Sequence, residues 1–283
     1  MNASRFALVL LVIALPKAAS ADAAFEFLPG SPRAISRSSS ASRDTPTLEY
    51  AYGPRAQHSV GTDFGLVKVS GDALSGRFGM YGMVCLENHT DKNAFPAHEL
   101  WRGLIGWSFA LSFDRFAERA FGERGALEVA FDLGHESDHH DGFADFGDPP
   151  HDGDIPNGGG GDFVGPDVAL RVAAFRTLDV TTRLVDRVFV RGALKNAPGA
   201  ELIVRWRATA WMQPLVSTFG EALVPRPDES KTGGFFRAMV GLAFPGTIGE
   251  VIAFTSLDAG NGKGLLINRH ETRLSVGVRY AIF

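Results

Sequence analysis

The sequence predicts an all-β fold: a transmembrane antiparallel β-barrel of about twelve strands in the outer membrane of a Gram-negative bacterium. Three observations carry that expectation. Apolar residues alternate with small or charged ones, at period two, along many segments. Those segments run about ten residues or more, longer than strands of ordinary globular sheets. Finally, the chain opens with the features of an export leader, and no later apolar stretch reaches the roughly 20 residues of a membrane-spanning helix.

The leader is expected over residues 1–21. Arg5 supplies the positive start, Phe6 to Leu15 the short apolar stretch, and Ala19-Ser20-Ala21 the small-residue cleavage site. Residues 22–45 follow as a polar, Ser-rich segment without alternation, expected to be a flexible periplasmic linker. The barrel is placed over residues 46–283. Its strands are expected at 46–54, 58–70, 75–87, 99–113, 125–137, 165–178, 181–193, 200–211, 213–223, 233–245, 249–258 and 268–283. Four show the alternation most clearly. Ile105, Trp107, Phe109 and Leu111 share one face against Gly106, Ser108 and Ala110. Leu202, Val204 and Trp206 oppose Ile203, Arg205 and Arg207, and Phe236, Val240 and Leu242 oppose Arg237, Met239 and Gly241. Leu274, Val276, Val278, Tyr280 and Ile282 oppose Arg273, Ser275, Gly277 and Arg279. Phe283 ends the chain out of step with that last apolar set.

An even strand count puts both termini on the periplasmic side. Tight turns are then expected at 70–72, 178–180 and 245–247, and long external connections at 88–98, 138–164, 224–232 and 259–267. Segment 114–124 is long for a periplasmic turn. The single cysteine, Cys85, excludes an intramolecular disulfide, and a net charge of −4 argues against nucleic acid as a partner.

One strand carries candidate chemistry. Leu127, Val129, Phe131 and Leu133 form the outward face of segment 125–137, and His135 and Ser137 continue it, while Glu128, Asp132 and Glu136 point the other way. A serine hydroxyl becomes a useful nucleophile when a neighbouring histidine takes its proton and a third polar group orients the imidazole. Facing outward at headgroup level, such a pair meets acyl esters directly. Three residues are candidates for the third group. Asp162 has the right parity but is expected in the loop, Asp167 is expected to face the lumen, and Asn157 lies in a Gly-rich stretch.

His135-x-Ser137-Asp138 resembles the His-x-Ser-Asn motif of outer-membrane phospholipase A, a twelve-stranded, calcium-dependent acyl hydrolase, and that of the PagL-type lipid A deacylases. The longer pattern His135-x-Ser137-x-His139 with Asp141-Gly142 is similar to a large, uncharacterised family of bacterial outer-membrane barrels. The specific match covers about a dozen residues and the remainder only in architecture. It implies His135 as base, Ser137 as nucleophile, a third polar residue near the start of the following strand (Asn157, Asp162 or Asp167, of which Asp162 is taken as the catalytic candidate) and membrane lipid (phospholipid or lipopolysaccharide) as substrate. Asp138 stands where the motif has Asn.

The following loop is rich in His and Asp, from Asp138 to Asp154, and Asp138 with Asp141 is the expected metal pair, calcium being favoured by the resemblance. It has no EF-hand spacing. The inward arginines Arg171, Arg205, Arg207, Arg237 and Arg279 are expected to pair with inward carboxylates such as Glu128 and Asp132; a narrow pore or a purely structural barrel is the alternative function. The outer-membrane insertion machinery and a second copy, as a homodimer, complete the expected partners.

Overall fold

In a computed structural model the chain is described over residues 24–27, 33, 35, 39–42, 48–52, 55–71, 74–89, 100–140, 160–192, 194–227, 233–247, 249–261 and 271–282. The strands are β1 (Ala24–Phe27), β2 (Leu48–Tyr52), β3 (Arg55–Ser70), β4 (Ser75–His89), β5 (Leu100–Ser112), β6 (Ala126–His140), β7 (Gly160–Phe175), β8 (Leu178–Phe189), β9 (Leu194–Trp206), β10 (Gln213–Pro225), β11 (Gly233–Pro245), β12 (Gly249–Asn261) and β13 (Glu271–Ile282). A helix, α1 (Asp114–Phe121), joins β5 to β6.

All pairings are antiparallel, and the twelve strands from β2 to β13 close a ring. Each pairs with the next, and β13 returns to β2 through Leu274↔Tyr52 to Val278↔Leu48. Closure leaves none of the twelve strands at a sheet edge, which is what a membrane demands of a β-structure. No helix among the described residues is long and apolar enough to cross a membrane. Alternation sorts the side chains by face. On β11 the neighbours Met239 and Val240 are 0% and 63% exposed, one inside the ring and one outside. Leu133, Leu202, Val216, Leu274, Val276 and Tyr280 are likewise exposed outside. The short connections (71–74, 176–177, 207–212, 246–248) gather at one end and the longest gaps between strands (90–99, 141–159, 262–270) at the other. This is the architecture of outer-membrane barrels.

Inside, charge is paired. Arg237 on β11 donates to both oxygens of Asp258 on β12 at 2.6 Å. Arg187 on β8 reaches Glu136 at 2.8 Å and Glu221 at 2.6 Å, and Arg205 bonds Glu250. Arg207 pairs with Asp179, while Arg171 donates to the Arg124 carbonyl at 2.7 Å. The expected polar lumen is therefore present and all five expected arginines engage the barrel itself, Arg279 by lying over the Phe254 ring, whereas Glu128 and Asp132, expected to pair with these wall arginines, are bonded by Arg33.

Three expectations are corrected. The turn between β7 and β8 is at 176–177, and β8 already begins at Leu178, so Asp179 is a buried strand residue bonded to Arg124 and Arg207 rather than a turn tip. Segment 114–124 is mostly helix. Its Ala117 is fully buried, and the chain leaves it through Gly122 at φ 97, a left-handed conformation that glycine adopts without a Cβ penalty.

The third correction concerns 22–45. Its described residues are part of the barrel, not a free linker. Ala24–Phe27 pair with Val67–Ser70 of β3, and Arg33, Ile35 and Ser39–Ser42 are buried within the ring. The Ser-rich composition that suggested a solvated linker suits a segment packed against a polar lumen wall equally well, because serine satisfies buried carboxylates. Residues 1–21 and Phe283 lie outside the described residues.

Candidate functional site

β6 is built from two faces. Glu128, Asp132 and Glu136 are buried inside, where they meet arginines; Val129 and Leu133 are exposed outside. His135 and Ser137 continue the outer set, His135 exposed and Ser137 partly so.

β7 completes the site. The sequence placed its start near 165, with Asp162 still in the loop; the strand begins at Gly160. The β6–β7 register pairs His135 with Asp162 and Ser137 with Gly160. His135 and Asp162 are therefore direct cross-strand neighbours on the outer face, their side chains 49% and 44% exposed. His135 Nδ1 lies 2.7 Å from Asp162 Oδ1. A carboxylate at Nδ1 favours the tautomer in which Nδ1–H donates to it, leaving Nε2 with a free lone pair to accept a proton. The Asp162 main chain is held as well, its carbonyl accepting from the backbone N–H of Val190 at 2.8 Å and of Arg191 at 3.4 Å.

Ser137 lies between two glycines. Across β5 it faces Gly103 and across β7 it faces Gly160. Neither brings a side chain, so the outer face is open on both sides of the hydroxyl, while Ile105 stands beside His135 and is exposed. Among the described residues nothing hydrogen-bonds the Ser137 hydroxyl, so the nucleophile–base contact is not formed here. Such contacts often tighten only with substrate bound.

The other candidates separate cleanly. Asp167 is buried in the lumen and paired with Arg183 and Arg33, on the wrong face to serve His135. Asn157 and Asp141 lie outside the described residues. Asp138 is at the end of β6, its backbone paired with Arg102. Among the described residues no three His, Cys, Asp or Glu side chains converge on a metal position. The flanking glycines were not singled out from sequence. Gly103 was readable as the one residue without a side chain in the outward series of β5, whereas Gly160 sits in a glycine run whose path only the register reveals.

No protein-family model matches the chain, and no curated protein matches it. Among solved structures it is similar to a Pseudomonas aeruginosa FadL homologue at 10% identity, over 84% of this chain and 74% of that one, with a TM-score of 0.31.

Proposed function

We propose that this chain is an outer-membrane barrel that hydrolyses acyl esters of membrane lipid, phospholipid or lipid A, at Ser137. The carrying observation is the His135–Asp162 contact at 2.7 Å on the outer face, in register beside Ser137. Two facing polar side chains on a lipid-facing wall cost stability that a structural role does not repay, and their outer-face neighbours, Ile105 opposite His135 and Val164 two residues along β7, are apolar.

In this reading Asp162 orients the imidazole and His135 Nε2 takes the Ser137 proton as Oγ attacks the ester carbonyl. The same imidazolium protonates the departing alkoxide. Water, deprotonated by His135, then attacks the acyl-serine and releases the fatty acid. The gap left by Gly103 and Gly160 admits the ester to the hydroxyl. Calcium, with Asp138 and Asp141 as its expected ligands, would supply electrostatic stabilisation of the oxyanion.

The test is fatty-acid release from phospholipid and from lipopolysaccharide by the refolded barrel, with calcium or chelator. Ser137→Ala and His135→Ala are expected to remove release. Asp162→Ala is expected to lower kcat by about 10²- to 10⁴-fold, the range seen when an orienting acid is lost. Release that survives Ser137→Ala unchanged overturns the assignment.

A further inference from the structure

The lumen holds a segment of the chain's own N-terminal region, and its contacts differ in kind from those of the wall. The wall's ion pairs join strands one to three places apart: Arg183 (β8) to Asp167 (β7), Arg237 (β11) to Asp258 (β12), Arg187 (β8) to Glu136 (β6) and Glu221 (β10), Arg205 (β9) to Glu250 (β12). They run along the wall. Several large inward rings also hug it, occupying space vacated by a glycine of a neighbouring strand. A Cβ on Gly134 would lie 2.3 Å from the Phe163 ring, and one on Gly277 2.3 Å from the Phe254 ring.

The segment carrying Arg33, Ile35 and Ser39–Ser42 does the reverse and connects distant walls. At one end Arg33 donates to both oxygens of Asp132 on β6 at 2.8 Å and lies 3.3 Å from Asp167 on β7 and 3.5 Å from Glu128. A few residues on, Ser40 bonds both oxygens of Glu201 on β9 at 2.7 Å and the Ala41 N–H donates to Ser217 on β10 at 2.9 Å. Arg279 of β13 donates to the Ser40 carbonyl. β6 and β13 are nearly opposite in a ring of twelve.

The chemistry of this occupant matters. Among its described residues the anchors are one guanidinium, small hydroxyls and backbone groups, with Ile35, against Ala126 and Ala169, and Ala41 as the apolar contacts. Withdrawal trades the bonds of Ser40 and Ala41 for water contacts at modest net cost, and the carboxylates that Arg33 leaves are hydrated rather than stranded, because the emptied lumen fills with water. An occupant meant to be permanent would be held by bulky apolar packing, as the core of a small barrel is. We propose that this segment is a displaceable plug, and that its withdrawal opens the lumen as a passage for small hydrophilic solutes and ions. This does not depend on the ester-hydrolase reading, which concerns the opposite face of the wall.

Planar-bilayer conductance in potassium chloride tests it. The full-length barrel is expected to be mainly closed with brief openings, and a variant lacking residues 33–42 steadily open, with at least a ten-fold higher mean conductance. A deletion variant that folds, judged by its heat-modifiable gel mobility, yet conducts no more than the full chain overturns the proposal. If deletion prevents folding, a Ser40→Cys/Ser217→Cys pair in a Cys85→Ser background decides instead. Both hydroxyls contact the same Glu201 oxygen, so the thiols are within reach of each other. The oxidised pair should abolish the brief openings and reductant should restore them; equal conductance in both states refutes displacement.

Discussion

Replacing Gly277 by alanine tests how this barrel fits aromatic rings inside its wall. Gly277 on β13 pairs in register with Phe254 on β12, and the ring lies over the glycine. An added Cβ would lie 2.3 and 2.6 Å from two ring atoms and 3.1 Å from the Leu48 carbonyl oxygen. Carbon contacts are optimal near 3.5–4.0 Å, so the ring must move by more than about 1 Å. It has little room, being buried and stacked beneath Arg279, whose guanidinium carbon is 4.6 Å from its centroid. Overpacking of this kind costs roughly 1–3 kcal/mol. Pulling the ring from the guanidinium adds about 0.5–2 kcal/mol. The expected loss is therefore about 2–4 kcal/mol, measured by reversible urea unfolding in detergent micelles. Phe254→Leu should relieve most of it, giving a coupling of about 1–3 kcal/mol in the double-mutant cycle. Gly277→Ala within about 0.5 kcal/mol of the parent, with no coupling to Phe254, refutes the ring-over-glycine account.

The lumen pair Arg237–Asp258 should behave as a buried ion pair. Arg237→Met alone is expected to cost about 3–5 kcal/mol by stranding the carboxylate, whereas Arg237→Met with Asp258→Leu should recover most of that, both read from the same unfolding curves. Gly103→Val probes the approach to Ser137: valine suits an outward strand position, so stability should hold, while lipid hydrolysis should fall at least ten-fold through KM; unchanged hydrolysis contradicts the idea that the open face admits the ester.

The ring was legible because its cause is local. Every second residue from Leu274 to Tyr280, or from Phe236 to Leu242, must meet lipid, and that leaves a period-two trace whatever the partners are. The strand ends were less legible. β9 begins at Leu194 rather than 200: Asn196-Ala197-Pro198 has the composition of a turn, yet pairs with Val188, Arg187 and Asp186 of β8. Asp162 was misplaced for the same reason: Gly-Gly-Asp carries no strand propensity, and cross-strand pairing with β6 alone extends β7 to Gly160. The plug was invisible to periodicity altogether. A segment that crosses a lumen alternates with nothing, and its partners Asp132, Glu201 and Arg279 are each about 100 residues or more away in sequence.

The outer site owes its geometry to the inner face of the same two strands. His135 and Asp162 are about half exposed, and even a fully charged pair at such exposure contributes only about 0–1 kcal/mol, too little to fix the register of a long antiparallel pair. A one-residue slip would turn every side chain of β7 to the other face. The inner face forbids it. Phe163, Asp167 and Ala169 would be expelled to the lipid side, and Asp167 would leave Arg33 and Arg183 behind in the lumen without its charge. The slip would also carry Asp162 inward, away from His135. The register that builds the carboxylate cage around Arg33 thus sets His135 opposite Asp162 on the outside. The external pair needs no stability of its own, which leaves those two side chains free to be polar on a wall that otherwise selects against them.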